Sequence, residues 1–300
     1  MDGAAARKNV PDSAPQTTDH YKRLVEYGKE LTNRTFAHVG PEVKNRKMRY
    51  SGNNLACSSC HEGAGTKKYA LPFTGIYGSF PLYRPREDEV GTLEERINGC
   101  MERSMAGKAL PTDSREMKAF VTYIHSLSKD VPVGGNIEGR GLPTFKAPDR
   151  RADVAAGSTV YQEKCVTCHG AGGGGLRAGP VGSAAGYTYP PLWGRDSFNN
   201  GAGMNRLLTA SAFIKANMPL GTEHGKPQLT DDEAYDVAAF IVSQPRPKKK
   251  NLDRDYPARW NKPVDCAFPP YVDGAPADQH KYGPFAALRK NMEMLISKRN

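Results

Sequence analysis

Apolar residues recur at helical spacing in four stretches of the chain, and the stretches fall into two pairs. From about His20 to Thr32, Leu24, Gly28 and Leu31 fall on one side of a helix. From about Asp113 to Leu127, Met117, Phe120, Val121 and Ile124 stand at i, i+3, i+4 and i+7. The second pair is cleaner. Val154 to Lys164 carries Gly157, Val160 and Tyr161 on one face. Its partner starts at Thr230-Asp231-Asp232-Glu233, where the Thr and Glu side chains can each satisfy a free backbone N–H at the helix start. Val237, Ala238 and Ile241 form its stripe, and Gln244-Pro245 stops it.

Between and beyond the pairs the pattern breaks. Lys129 to Arg150 holds several Gly and Pro residues and reads as a linker, which predicts domains over residues 19–128 and 151–245. Residues 1–18 read as a flexible N-terminus. Residues 246–300 are Pro-rich but carry Trp260, Tyr271 and Phe285, so this tail is expected to pack across both domains. Three hundred residues suffice for two domains of ordinary size.

Each pair of helices encloses one copy of Cys-x-x-Cys-His: Cys57, Cys60 and His61, then Cys165, Cys168 and His169. Cys-x-x-Cys alone also suits half a zinc site or a redox dithiol. Neither requires His directly after the second Cys, and both copies have it. The motif reads as c-type haem attachment, in which the thiols form thioethers to the haem and the His becomes an iron ligand. Helix, haem motif, loop and closing helix is the layout of small class I cytochromes c. The expected fold is therefore mostly α, with two class I cytochrome c-like domains in tandem and two covalently bound haem c groups. Gly172 to Gly175 after the second motif lacks the Gly-Lys-Ser/Thr of a phosphate loop and reads as a haem-edge loop. Pro190-Pro191-Leu192-Trp193 is expected to pack on the second haem face.

A ligand opposite each His is the next question. For the second haem the best candidate is Met218, ahead of Pro219 and the closing helix; Met204 follows, and Lys215 is weaker. The first domain has no Met-Pro in the corresponding region. It has Cys100, one of two cysteines outside the haem motifs. Cys100 could pair with Cys266 in a disulfide, or Met101 or Met105 could be the ligand instead. The sharper reading makes Cys100 an axial thiolate, which stabilises ferric iron and lowers the potential, whereas His/Met ligation raises it. Arg84, Arg86, Arg96 and Arg103 crowd the same segment, where cations favour a thiolate and attract a small dianion.

Charge and hydropathy narrow the setting. The net charge is +10 and the mean hydropathy is -0.63. The basic residues are dispersed, apart from Lys248-Lys249-Lys250, which argues against nucleic acid and fits attraction of an anionic substrate or an acidic electron partner. There is no run of roughly 18 apolar residues, so no transmembrane helix is encoded and no integral membrane contact is expected. Met1 to Gln16 lacks the apolar core of a signal peptide. Because bacterial haem c is attached outside the cytoplasmic membrane, the expectation is a mature periplasmic chain without its export signal.

The segments around these candidates resemble the dihaem thiosulfate dehydrogenases. The matching stretches are Val90 to Cys100, Glu102 to Met105, Phe213 to Gly221, Phe240 to Pro247, Asp255-Tyr256-Pro257 and Gly283-Pro284-Phe285. The family joins two thiosulfates into tetrathionate and removes two electrons. By position, the resemblance implies His61 and Cys100 as axial ligands of a catalytic haem. His169 and Met218 become the ligands of an electron-transfer haem. Arg86, Arg96 and Ser104 are expected to line the thiosulfate pocket, with a soluble c-type cytochrome or similar protein as electron acceptor. Some members carry Lys just before the Met, where this chain has Asn217. A dihaem electron carrier, a subunit of a sulfur-oxidising complex and a dihaem peroxidase are the rival readings.

Overall fold

A computed structural model describes residues 19–298. In the first half, helix α1 (Asp19–Asn33) leads to the first haem motif. Helix α2 (Leu93–Arg103) and helix α3 (Arg115–Ser126) follow it. The second half repeats this order, with α4 (Val154–Lys164), the second motif, α5 (Leu207–Asn217) and α6 (Asp231–Ser243). Among the described residues, strands are confined to two short antiparallel hairpins. One pairs β1 (Leu82–Arg84) with β2 (Glu89–Gly91), placing Tyr83 opposite Val90; the other pairs β3 (Leu176–Arg177) with β4 (Tyr187–Tyr189). The mostly helical tandem is the expected architecture.

The two halves are built on the same helix crossing. In each, the first and last helices meet at a glycine. A Cβ on Gly28 would stand 2.1 Å from the Ala119 carbonyl oxygen of α3, and one on Gly157 would stand 1.9 Å from the Asp236 oxygen of α6. The missing side chain brings the backbones together, and the flanking stripes close the cores. Leu31, Met101, Met117 and Phe120 form the first core. Tyr161, Trp193, Leu207, Tyr235 and Val237 form the second.

Local signals set the helix ends. Thr230 accepts from Glu233 N and Glu233 bonds back to Thr230 N, so α6 starts at the expected box. The same reciprocal pair, Thr92 with Glu95, starts α2. This Thr-x-x-Glu signal starts the helix that carries Cys100. The polar spacer before Cys57 holds a further helical turn, Thr35–Val39.

The halves are joined by buried polar contacts. Asn53, fully buried, donates to Ser104 O at 2.9 Å and Ser197 O at 3.1 Å. Arg177 pairs with Glu42 at 2.7 Å. The tail touches both halves. On its helix α7 (Phe285–Ser297), Phe285 and Leu288 enter the second core. Further back, Tyr256 N donates to Arg86 O at 2.7 Å. Residues 1–18, read above as flexible, lie outside the described residues.

Candidate active site

The first haem motif opens as a single 3-10 turn at Cys57–Ser59, and His61 N bonds to Cys57 O at 2.9 Å. The His61 ring places Nδ1 2.6 Å from Leu71 O. A carbonyl only accepts, so Nδ1 carries the proton and Nε2 presents its lone pair. His169 repeats the arrangement, with its N on Cys165 O at 2.9 Å and Nδ1 2.8 Å from Pro190 O. Burial holds the His169 imidazole below its ordinary range, hence neutral and able to bind iron. A ring N–H fixed by a backbone carbonyl is the usual support of a metal-binding histidine.

Beside His61 lies a cavity lined by both motif cysteines, Cys100, Ser104 and a mainly apolar wall that includes Phe73 and Phe120. Paired thiols, an oriented imidazole and an apolar cavity fit a haem. In the second domain Cys165 and Cys168 are half-buried. Met218 follows the end of α5 and packs against the second core. Lys215 is held by Asp231 at 2.5 Å and Asn217 donates to Tyr69 O of the first domain. Met204, weighed above for the second haem, lines the cavity of the first instead. Met101 and Met105 line that cavity too.

Helix α2 brings Cys100 to the cavity and places Arg96 one turn earlier. Arg96 Nη1 donates to Cys100 Sγ at 2.9 Å. Burial pushes this thiol up, but the Arg96 guanidinium and the His61 imidazole more than offset it and bring it to about 6. Burial pushes Cys57 to about 11 and Cys60 to about 12. Of the three cysteines in the cavity, Cys100 alone is poised as a thiolate, while the other two are the neutral thiols that thioether formation uses.

The remaining arginines of the segment are engaged elsewhere. Arg86 donates to Asp255 at 2.7 Å and to Gly201 O at 3.2 Å, and is not among the cavity-lining residues. Arg103 is buried and meets the same carboxylate at 2.8 Å. Arg84 pairs with Glu87 at 2.8 Å. The structure thus brings together His61, Cys100 and Ser104 on the cavity wall; Arg96 does not line the cavity either but joins them through its bond to the Cys100 sulfur, whereas Arg86 is clamped by Asp255 of the tail. Cys266 is buried and free, as Cys100 is free, so no disulfide joins them. Sequence reasoning missed three contributions to this site. Phe198 and Met204 reach the first cavity from the second half. Asp255 lay within a matching stretch but had no role assigned.

The family model described as SoxA/TsdA, cytochrome c domain, matches residues 47–133, and the cytochrome c model matches residues 154–245. The chain is 45% identical over 202 residues to a thiosulfate dehydrogenase of Allochromatium vinosum, covering 66% of this chain and 72% of that protein. It is 39% identical over 249 residues to one of Psychrobacter arcticus, covering 83% and 71%. Among solved structures, the thiosulfate dehydrogenase TsdBA from Marichromatium purpuratum aligns with a TM-score of 0.69 and 34% identity over 82% of this chain. This chain spans 50% of that longer one. With two cytochrome c domains, two haem motifs and these relatives, the chain belongs to the thiosulfate dehydrogenase family of dihaem c-type cytochromes.

Proposed function

We propose that the protein couples two thiosulfate anions into tetrathionate and delivers the two released electrons to an external acceptor. The observation that carries this reading is the Arg96–Cys100 pair at 2.9 Å, with the Cys100 sulfur beside the His61 imidazole in one cavity. Arg96 keeps Cys100 ionised and supplies positive charge where a dianion must approach a thiolate. Ser104 offers a hydroxyl on the cavity wall. The Cys100 thiolate and the sulfane sulfur of one thiosulfate join in an S–S bond as two electrons leave. The sulfane sulfur of a second thiosulfate then attacks the sulfane sulfur of that adduct. The new S–S bond completes tetrathionate, and Cys100 departs as the thiolate it was at the start. The haems, when bound, supply one-electron sites through which the two electrons leave. Arg86 acts indirectly, through its bonds to Asp255 and to Gly201 O, and does not line the cavity.

The acceptor is a soluble c-type cytochrome or a protein of similar chemistry. The site of action is the periplasm, where haem c is attached in bacteria. The net charge of +10 favours a thiosulfate dianion and an acidic acceptor surface.

The test is thiosulfate-dependent reduction of an external one-electron acceptor by the haem-loaded protein, with tetrathionate counted. One tetrathionate per two electrons is expected. No turnover with both haems intact and reducible would move the protein to an electron carrier or to a subunit of a larger sulfur-oxidising assembly.

A further inference from the structure

Arg246 is a half-buried cation whose counter-ion is missing from the chain. Its Nη2 donates to Ile241 O at 2.7 Å and its Nη1 to Leu192 O at 3.4 Å. Its Cζ lies 4.4 Å from the centre of the Phe198 ring. Its Nε is buried and meets no acceptor. Among the described residues, no carboxylate stands within ion-pair distance of it. The other arginines withdrawn from solvent behave differently: Arg103 has Asp255 and Arg206 has Asp265. Carbonyls at the end of α6 soften the charge of Arg246 without cancelling it. A guanidinium held out of water without an anion is costly, so such groups are nearly always paired.

Its location says where the anion comes from. The segment Pro190 to Phe198 runs from the second haem site to the first. At one end Pro190 O holds the His169 ring, and at the other Phe198 lines the first cavity. Arg246 braces this segment: its guanidinium touches Leu192 O and the Phe198 face, and Gly194 N bonds to Pro245 O at 2.8 Å. The only carboxylates that the two sites gain from outside the polypeptide are the haem propionates. We propose that Arg246 is the anchoring cation for a haem propionate. Such a residue binds the cofactor and sets the potential of that haem, since a cation beside a propionate disfavours the ferric state.

Arg246→Gln and Arg246→Lys in the full chain loaded with both haems provide the test. The readouts are the propionate bending bands in resonance Raman spectra and the midpoint potentials of the two haems in an optical redox titration. Arg246→Gln is expected to shift one propionate band and lower the potential of that same haem; Arg246→Lys, which keeps the charge, should shift the band but largely hold the potential. A change in the haem with the His/Cys spectrum assigns the propionate to the first site, and one in the His/Met haem to the second. Unchanged bands and potentials in Arg246→Gln would overturn the proposal. A role confined to bracing the Pro190–Phe198 segment changes stability and leaves both readouts in place. If Arg246→Gln does not load haem, the Lys variant decides, because an unshifted propionate band there is also fatal to the idea.

Discussion

Arg96 and Cys100 sit one turn apart on α2, with the guanidinium Nη1 2.9 Å from the sulfur. Burial alone raises this thiol, so the cation, with help from His61, is what brings it to about 6. Removing a positive charge disfavours the thiolate and raises its pKa. The acid limb of kcat/KM for thiosulfate is therefore expected at higher pH in Arg96→Gln than in the natural protein. Each unit of rise lowers the thiolate fraction on the acid side roughly tenfold. A pH–rate profile with an unmoved acid limb would count against the pairing as the cause. Apparent affinity for thiosulfate should weaken in the same variant.

Cys100→Ala separates chemistry from assembly. The thioether-forming cysteines and both ring-orienting carbonyls lie elsewhere, at Cys57, Cys60, Leu71 and their counterparts Cys165, Cys168 and Pro190. Haem staining and mass should show two attached haems, with thiosulfate turnover reduced to background. Near-normal turnover would remove Cys100 from the mechanism.

Asp255 holds two arginines at once, Arg86 at 2.7 Å and Arg103 at 2.8 Å, and all three side chains are largely withdrawn from water. Removing one partner of a buried ion pair leaves uncompensated charge and costs about 3–5 kcal/mol. Asp255→Ala is expected to lose stability in that range in denaturant titrations of the haem-loaded protein. It should also weaken thiosulfate turnover, because Arg103 lies on the Cys100 helix. A loss below about 1 kcal/mol would mean that the tail is not clamped there.

The sequence showed most clearly what depends on near neighbours. The α4 stripe, the Thr230–Glu233 box and the Cys-x-x-Cys-His motifs are local patterns, and α4 and α6 have the predicted ends. The Thr92–Glu95 box at the start of α2 is equally local. The assembly of the site was illegible for a different reason. Asp255 reaches Arg86 across 169 positions, and Met204 and Phe198 cross from the second domain to the first cavity. No spacing rule encodes such contacts. The expectation for Arg86 came from the resemblance, which carries position but not which anion the guanidinium faces.

Met218 offers a readout on the second haem alone. It follows α5 and packs against the second core, while Lys215 is occupied by Asp231. A thioether opposite His raises the haem potential. Met218→Ala should lower the potential of the second haem in an optical titration and leave the spectrum of the first unchanged. A second-haem potential that stays put would exclude Met218 as its ligand.

The two glycine crossings give a stability prediction with an internal control. Alanine favours a helix over glycine by about 1 kcal/mol, which would stabilise α1 and α4 if nothing stood in the way. At Gly28 the added carbon would lie 2.1 Å from the Ala119 carbonyl oxygen, and at Gly157 1.9 Å from the Asp236 oxygen. Both obstacles are helix backbone, so relief requires the paired helices to separate and the core between them to loosen. Overpacking of this kind costs about 1–3 kcal/mol or more, which outweighs the propensity gain. Gly172 in the haem-edge loop has nothing within 4 Å of the same position and no left-handed backbone. Gly28→Ala and Gly157→Ala are thus expected to destabilise their own domains by about 1–2 kcal/mol in denaturant unfolding followed at each haem, while Gly172→Ala stays within about 0.5 kcal/mol of the natural protein. Equal stability in all three variants would mean that the crossings are looser than the backbone geometry states.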